Sequence, residues 1–189
     1  GVIFYSLRVP AVKEGETAAI VRLQAEARLP LPLDQMELAW RSQHVGDGQM
    51  MVTVAAAKRE QLHRFVDEAR VFRPKQILLD SEGIVKVWRS LFSGDDEPAV
   101  VISARQRSTR VCLSGDGRLV NAVSLDTGTE DFSGPRRVEA GDRFVQDMRS
   151  VLELFGYTDP GAVRVIVLSD GGRVLKQMVS SLRSSGLNA

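Results

Sequence analysis

The sequence predicts an α/β protein, and three observations carry that prediction. Residues 99–102, 108–114 and 118–125 are apolar or alternating runs separated by tight turns. Residues 142–155 and 173–184 repeat apolar side chains at helical spacing, and residues 163–168 are the most strand-like run of the chain. In order these read strand–strand–strand–helix–strand–helix over residues 97–189, a unit that buries a sheet under helices.

Along the chain, residues 2–9 are rich in β-branched and aromatic side chains and predict a strand that Pro10 ends. Glu16 and Thr17 open a helix to about Leu29, with Ile20, Leu23, Gln24 and Ala27 on one face. Pro30 and Pro32 stop it, because proline lacks an amide donor and disfavours helix at the residue before it. Met36, Leu38 and Trp40 alternate with Glu37, Ala39 and Arg41. Met50, Val52 and Val54 alternate likewise beyond Gly46-Asp47-Gly48, so a hairpin is expected. A helix follows over 58–72, with Leu62, Phe65, Val66 and Ala69 at helical spacing, until Arg73-Pro74 breaks it. Residues 76–79 predict a short buried strand, and 82–92 a helix presenting Ile84, Val85, Trp88, Leu91 and Phe92.

Ser93-Gly94-Asp95-Asp96-Glu97-Pro98 reads as a linker and divides a first part, 1–93, from a second, 97–189. In the second part Gly115-Asp116-Gly117 is a tight turn and residues 126–141 are polar loop. The next helix turns Phe144, Met148, Val151, Leu152 and Phe155 inward, and Val165, Val167 and Ile102 are expected to be buried almost completely. The last helix carries Val174, Leu175, Met178, Val179 and Leu182, with Gly186 placed to cap its end.

The 189 residues are 43% hydrophobic, enough for a sizeable core. A formal net charge of +1 gives no global field pointing to nucleic acid, membrane or an acidic substrate. The lone Cys112 permits no internal disulfide and fits a reducing compartment; its strand-like setting predicts a packed thiol. No apolar run reaches the roughly 20 residues that span a bilayer. A strand directly after Gly1, with no Met, suggests a piece of a longer protein.

Few residues offer chemistry. His44 and His63 are isolated, so no metal site is expected. Arg105, Arg107 and Arg110 either grip phosphate or form a solvated hairpin tip. Glu130 and Asp131 are adjacent in a glycine-rich loop, which favours a turn over a catalytic pair. Ser169-Asp170-Gly171-Gly172 turns a buried strand into a helix, where glycines allow close approach of a ligand and a helix start offers amides. Leu29, Leu31 and Leu33 alternate with prolines in a corner that cannot be helix, so they either line a surface concavity or cover the sheet beneath.

Taken in order, several segments resemble PilM-type pilus-assembly proteins, relatives of FtsA and GspL in the actin-like ATPase superfamily. They are Leu29-Pro30-Leu31-Pro32-Leu33-Asp34, the strand of Trp40, Val52-Thr53-Val54-Ala55-Ala56-Ala57-Lys58, Leu78-Leu79-Asp80-Ser81-Glu82 and Val167-Leu168-Ser169-Asp170-Gly171-Gly172. In the last of these, Asp170 stands where the family has glycine. The resemblance implies an actin-like (ribonuclease-H-like) fold, incomplete at its start. Residues 1–93 would be the rest of a first lobe with an inserted α+β interaction subdomain, and 97–189 the second lobe.

The same resemblance implies a relic nucleotide turn at Ser169, Asp170, Gly171 and Gly172. The family's "Asp-x-Gly" phosphate loop would precede Gly1, and its second loop falls at Ile102-Ser103-Ala104-Arg105, without the acid or the glycine. No cofactor is therefore required, ATP belongs at most to the parent protein, and the resemblance leans against an enzyme. The function implied is a bacterial cytoplasmic scaffold of a type IV pilus or type II secretion complex. It would dock a short segment of an inner-membrane partner, with Leu29, Leu31 and Leu33 as candidate contacts, and sit at the membrane only through that partner. Nucleic acid and direct membrane insertion are not expected, and a homo-oligomer stays open. The alternatives are an ATPase or kinase relative of the same superfamily, and a nucleic-acid module built on the three arginines.

Overall fold

The computed structural model describes residues 2–75, 77–92, 97–159, 161–168 and 172–189. The chain forms two compact units, Gly1–Ile77 and Leu78–Ala189.

The first unit is a three-stranded antiparallel sheet with helices. β1 (Val2–Pro10), β2 (Met36–Gly46) and β3 (Gln49–Lys58) take the order β1-β3-β2. The β2–β3 turn is the expected one: Asp47 and Gly48 both have positive φ, 50° and 67°, the mirror-image turn that matches strand twist. α1 (Glu14–Arg28) ends where predicted; Leu29 before Pro30 is already extended, at φ −85° and ψ 143°. Its buried face differs from the expected one. Thr17, Val21 and Ala25, spaced by four, are buried, Ile20 is half-buried, and Leu23 is 67% exposed. Val21 packs on Leu7, Val9, Met50, Val52 and Val54.

α2 (Arg59–Ala69), followed by a 3-10 turn at Arg70–Phe72, forms where the spacing predicts a helix, yet none of its residues is buried. Phe65 and Val66 remain exposed. The strand expected at 76–79 is not found in Ile77–Leu79: Leu79 is extended, but no described strand pairs with it. An apolar tripeptide without a ladder partner cannot be a strand; Gln76 lies outside the described residues.

The second unit contains α3 (Asp80–Leu91), β4 (Ala99–Ala104), β5 (Thr109–Gly115), β6 (Arg118–Leu125), α4 (Arg137–Leu154), β7 (Arg164–Leu168) and α5 (Gly172–Ser184). β4, β5 and β6 form the expected antiparallel meander, and β7 joins β4 in parallel, giving one sheet in the order β6-β5-β4-β7. Asp116 and Gly117 repeat the positive-φ turn between β5 and β6. One sheet face meets α4 and α5 in a core of Val100, Ile102, Val111, Phe144, Met148, Leu152, Val165, Met178 and Leu182. Ile102 and Val165 are buried as expected. Val167 is only half-buried, because β7 lies at the end of the strand order.

α3 packs on β4, β5 and β6, burying Ser81, Val85 and Trp88. It therefore belongs to the second unit, whereas the sequence reading divides the chain after it, at the 93–98 linker; burial against the sheet outweighs linker composition. Leu91 and Phe92, expected in the core, are exposed. α4 starts at Arg137, inside the stretch expected to be loop, since its first turn is too polar to show a period. Gly186, at φ 85°, ends α5 as expected, with the Leu187 amide donating to the Leu182 carbonyl at 3.1 Å.

Candidate functional site

The proline corner and the start of α2 build one groove within the first unit. Leu31 comes from the corner, Gln35 from the 3-10 turn Leu33–Gln35, Lys58 from the end of β3, and Arg59, Glu60 and His63 from α2. The groove encloses about 460 Å³. Apart from the half-buried Leu31, its lining is exposed and polar, with two cations, Lys58 and Arg59, and one anion, Glu60.

Local chemistry fixes its walls. Pro30 and Pro32 remove two amides, so the corner contributes little to any ladder and its side chains face outward in part. Leu29, Leu31 and Leu33 are all half-buried, between the two roles the sequence leaves open, and Leu31 is the one of the three that lines the groove. Arg59 is anchored: its Nε lies 2.9 Å from Glu37 Oε1, and Nη2 donates to the Met36 carbonyl at 3.4 Å. Glu60 pairs with Arg64 at 2.6 Å, one helical turn on. Such a groove suits an extended or helical segment with an apolar side chain for Leu31 and an acidic group for Lys58.

The other sequence candidates fall in the second unit and are mostly engaged. Arg105 Nη2 and Arg110 Nη2 lie 3.2 Å and 3.3 Å from Asp80 Oδ2 in the first turn of α3. Arg107 Nε is 3.5 Å from Glu130 Oε1, and Asp131 Oδ2 accepts the Gly128 amide at 2.9 Å. Asp80 and Glu130 thus tie the three arginines of the β4–β5 hairpin to its surroundings, while Asp131 closes its own loop. The hairpin backbone is committed too. The Arg105 amide donates to the Ser108 carbonyl at 2.9 Å, while the Arg105 and Gln106 carbonyls accept from Thr129 and Glu130 at 2.8 Å and 3.0 Å. A phosphate loop needs amides turned to a ligand; the Arg105 amide is turned to Ser108 instead.

Cys112 is fully buried on β5, and burial pushes its thiol up to about 11, against smaller lowering effects from the Ser81 hydrogen bond and the Arg110 charge. It is the packed thiol the sequence predicts. Of the proposed nucleotide turn, Ser169, Asp170 and Gly171 lie outside the described residues. Gly172 opens α5, and a Cβ there would meet nothing within 4 Å, so packing among the described residues does not require a glycine. Among the described residues no cluster of His, Cys, Asp or Glu could hold a metal ion, and no helix is long and apolar enough to cross a membrane.

Sequence reasoning singled out Leu31 but missed the polar residues that line the groove with it. Lys58, Arg59 and His63 lie some thirty residues away in the chain and meet the corner only through the β2–β3 hairpin.

No protein-family profile matches the sequence, and no curated protein does. Solved structures do. The chain superposes on a chain of the PilM–PilN type IV pilus biogenesis complex with a TM-score of 0.73 at 20% identity, covering 99% of this chain and 65% of that one. The cytoplasmic domain of EpsL, an inner-membrane component of the type II secretion system of Vibrio cholerae, gives 0.58 at 11% identity, covering 99% and 72%. A Bacteroides thetaiotaomicron protein with an actin-like ATPase fold gives 0.50 at 12%, covering 95% and 61%. The chain thus spans 65% of the length of the PilM-complex chain, and the resemblance to PilM-type proteins drawn from its sequence is met by a likeness in structure. The fold of this chain is that of an actin-like protein, spanning part of the length of the solved examples.

Proposed function

We propose that the chain is a docking scaffold of a type IV pilus or type II secretion assembly, holding a short cytoplasmic segment of an inner-membrane partner in the groove of the first unit. The observation that carries this reading is the groove itself, which joins a half-buried leucine to an anchored arginine on a surface not used by the core. The likeness to a chain from the PilM–PilN complex and to the EpsL cytoplasmic domain supports it. On this reading the protein works on the cytoplasmic side and reaches the membrane through its partner. It needs no cofactor of its own, and any ATP binding belongs to the parent protein. The lack of an acid and a glycine at Ile102-Ser103-Ala104-Arg105 supports a scaffold over an ATPase or kinase.

Leu31→Glu is the test. Labelled cytoplasmic segments of inner-membrane pilus and secretion components are titrated with both proteins and followed by fluorescence anisotropy. The reading expects binding by the parent sequence and its loss in Leu31→Glu at an unchanged melting temperature. A folded Leu31→Glu protein with undiminished binding would remove the groove from the site.

A further inference from the structure

The outer strands of the first unit's sheet, β1 and β2, each have an edge that no described strand pairs with, and the edge of β2 is the more exposed. The register makes three rows on the face that α1 covers: Tyr5–Val54–Trp40, Leu7–Val52–Ser42 and Val9–Met50–His44. α1 lies over the β1 and β3 members of these rows, and the β2 members fall beyond it. All residues from 39 to 46 are consequently exposed on both sheet faces, including Trp40 at 37% and Val45 at 46%. Natural edges of this length carry lysine, proline or bulges that block pairing. Residues 38–46 hold no lysine and no proline, a single charge, Arg41, and one irregularity, at the hairpin end between His44 and Gly46.

We propose that this edge is a self-association surface: β2 pairs antiparallel with β2 of a second copy, making one six-stranded sheet across a two-fold axis. Charge and the extent of the exposed stretch select the register. Centring on Arg41 sets two guanidinium groups opposite each other, which is repulsive. Centring on Ala39 would draw in Met36 and Glu37, which lie outside the exposed stretch. Centring on Ser42 uses the exposed stretch and opposes no like charges. It sets Arg41 across from Gln43, Trp40 from His44, Ala39 from Val45 and Leu38 from Gly46. Trp40, which continues the apolar row of Tyr5 and Val54, is then covered by the second copy's strand. A strand edge alone buries less than the roughly 1,200 Å² of a standard interface, so the dimer is weak and forms where the protein is concentrated.

Sedimentation velocity over a wide concentration range reads the association, and cysteine cross-linking reads the register. The natural Cys112 is buried and serves as background. In Ser42→Cys the two introduced thiols face each other across the axis, at a Cα separation within the disulfide range of roughly 4.4–6.8 Å. Mild oxidation with diamide is expected to give about tenfold more covalent dimer than Arg41→Cys or Gln43→Cys, where like residues do not meet. Trp40→Glu should lower the dimer fraction with its thermal unfolding unchanged. If Trp40→Glu fails to fold, the cross-linking comparison decides alone. Three results would overturn the proposal: a monomer at every concentration, equal cross-linking at positions 41, 42 and 43, or cross-linking of Ser42→Cys only when a membrane-partner segment is added.

Discussion

Arg105 Nη2 lies 3.2 Å from Asp80 Oδ2, joining the tip of the β4–β5 hairpin to the first turn of α3. Asp80 does three things at once. Its Oδ2 also receives Arg110, its Oδ1 accepts the Ser81 amide at 2.8 Å, and its charge sits at a helix N-terminus, where the backbone dipole favours an anion. The groups are partly exposed, so solvent screening keeps each pair weak. Asp80→Asn is expected to cost about 1 kcal/mol. Urea titrations at low and high salt should show that loss shrinking as salt rises.

Gly128 is required by a close approach. A Cβ there would stand 2.2 Å from the Gln106 carbonyl oxygen and 2.6 Å from the Arg107 carbonyl carbon, both backbone atoms that cannot swing aside. Gly128→Ala should therefore push the 126–131 loop off the hairpin tip and destabilise the second unit by about 1–3 kcal/mol. Thermal unfolding measures the loss, and amide exchange at Thr129 and Glu130, which donate to the tip, should quicken.

Cys112 makes stability fall at alkaline pH. Burial favours the neutral thiol, raising it from 9.0 to about 11. The folded protein thus holds its proton more tightly than the unfolded chain. The contribution is complete below about 9 and is lost as pH rises towards about 11. Urea midpoints between pH 8 and pH 11 should decline more steeply for the parent than for Cys112→Ala, and alkylation of Cys112 should await unfolding.

The chain is expected not to hydrolyse ATP. Ser103-Ala104-Arg105 offers no acid to organise magnesium, and the Arg105 amide is already bonded to Ser108. Phosphate release should match a protein-free control. Release above that control, abolished by substitution at Gly172, would contradict the expectation.

The second unit was readable because its signals are local. Asp116-Gly117 names a turn type, residues 99–102 are apolar throughout and so buried on both faces, and Phe144, Met148 and Leu152 recur at one helical spacing. The first unit was less readable because its outcomes depend on what lies alongside. The spacing of Leu62, Phe65 and Val66 correctly gave a helix, but nothing in it reveals that none of the three is buried. Ile77, Leu78 and Leu79 have strand chemistry without a partner. Leu23 and Val21 are equally apolar, and only the position of α1 over β1 and β3 decides which one is exposed. Of the candidate site, the proline corner was legible as a break in helix. Its polar neighbours on β3 and α2 were not, because the hairpin that delivers them is a tertiary fact.

The parallel pairing of β4 with β7 sets a timetable for synthesis. β4, β5 and β6 can zip together through two short turns as soon as they leave the ribosome, but Val100 must wait for Val165 and Val101 for Ile166. Until β7 emerges, one edge of β4 stays open, and part of the sheet face that α4 and α5 will cover stays wet. Because non-local strand pairs form slowly and expose apolar surface meanwhile, translation pauses or chaperone capture between residues 125 and 164 should govern the yield of this unit more than its final stability does.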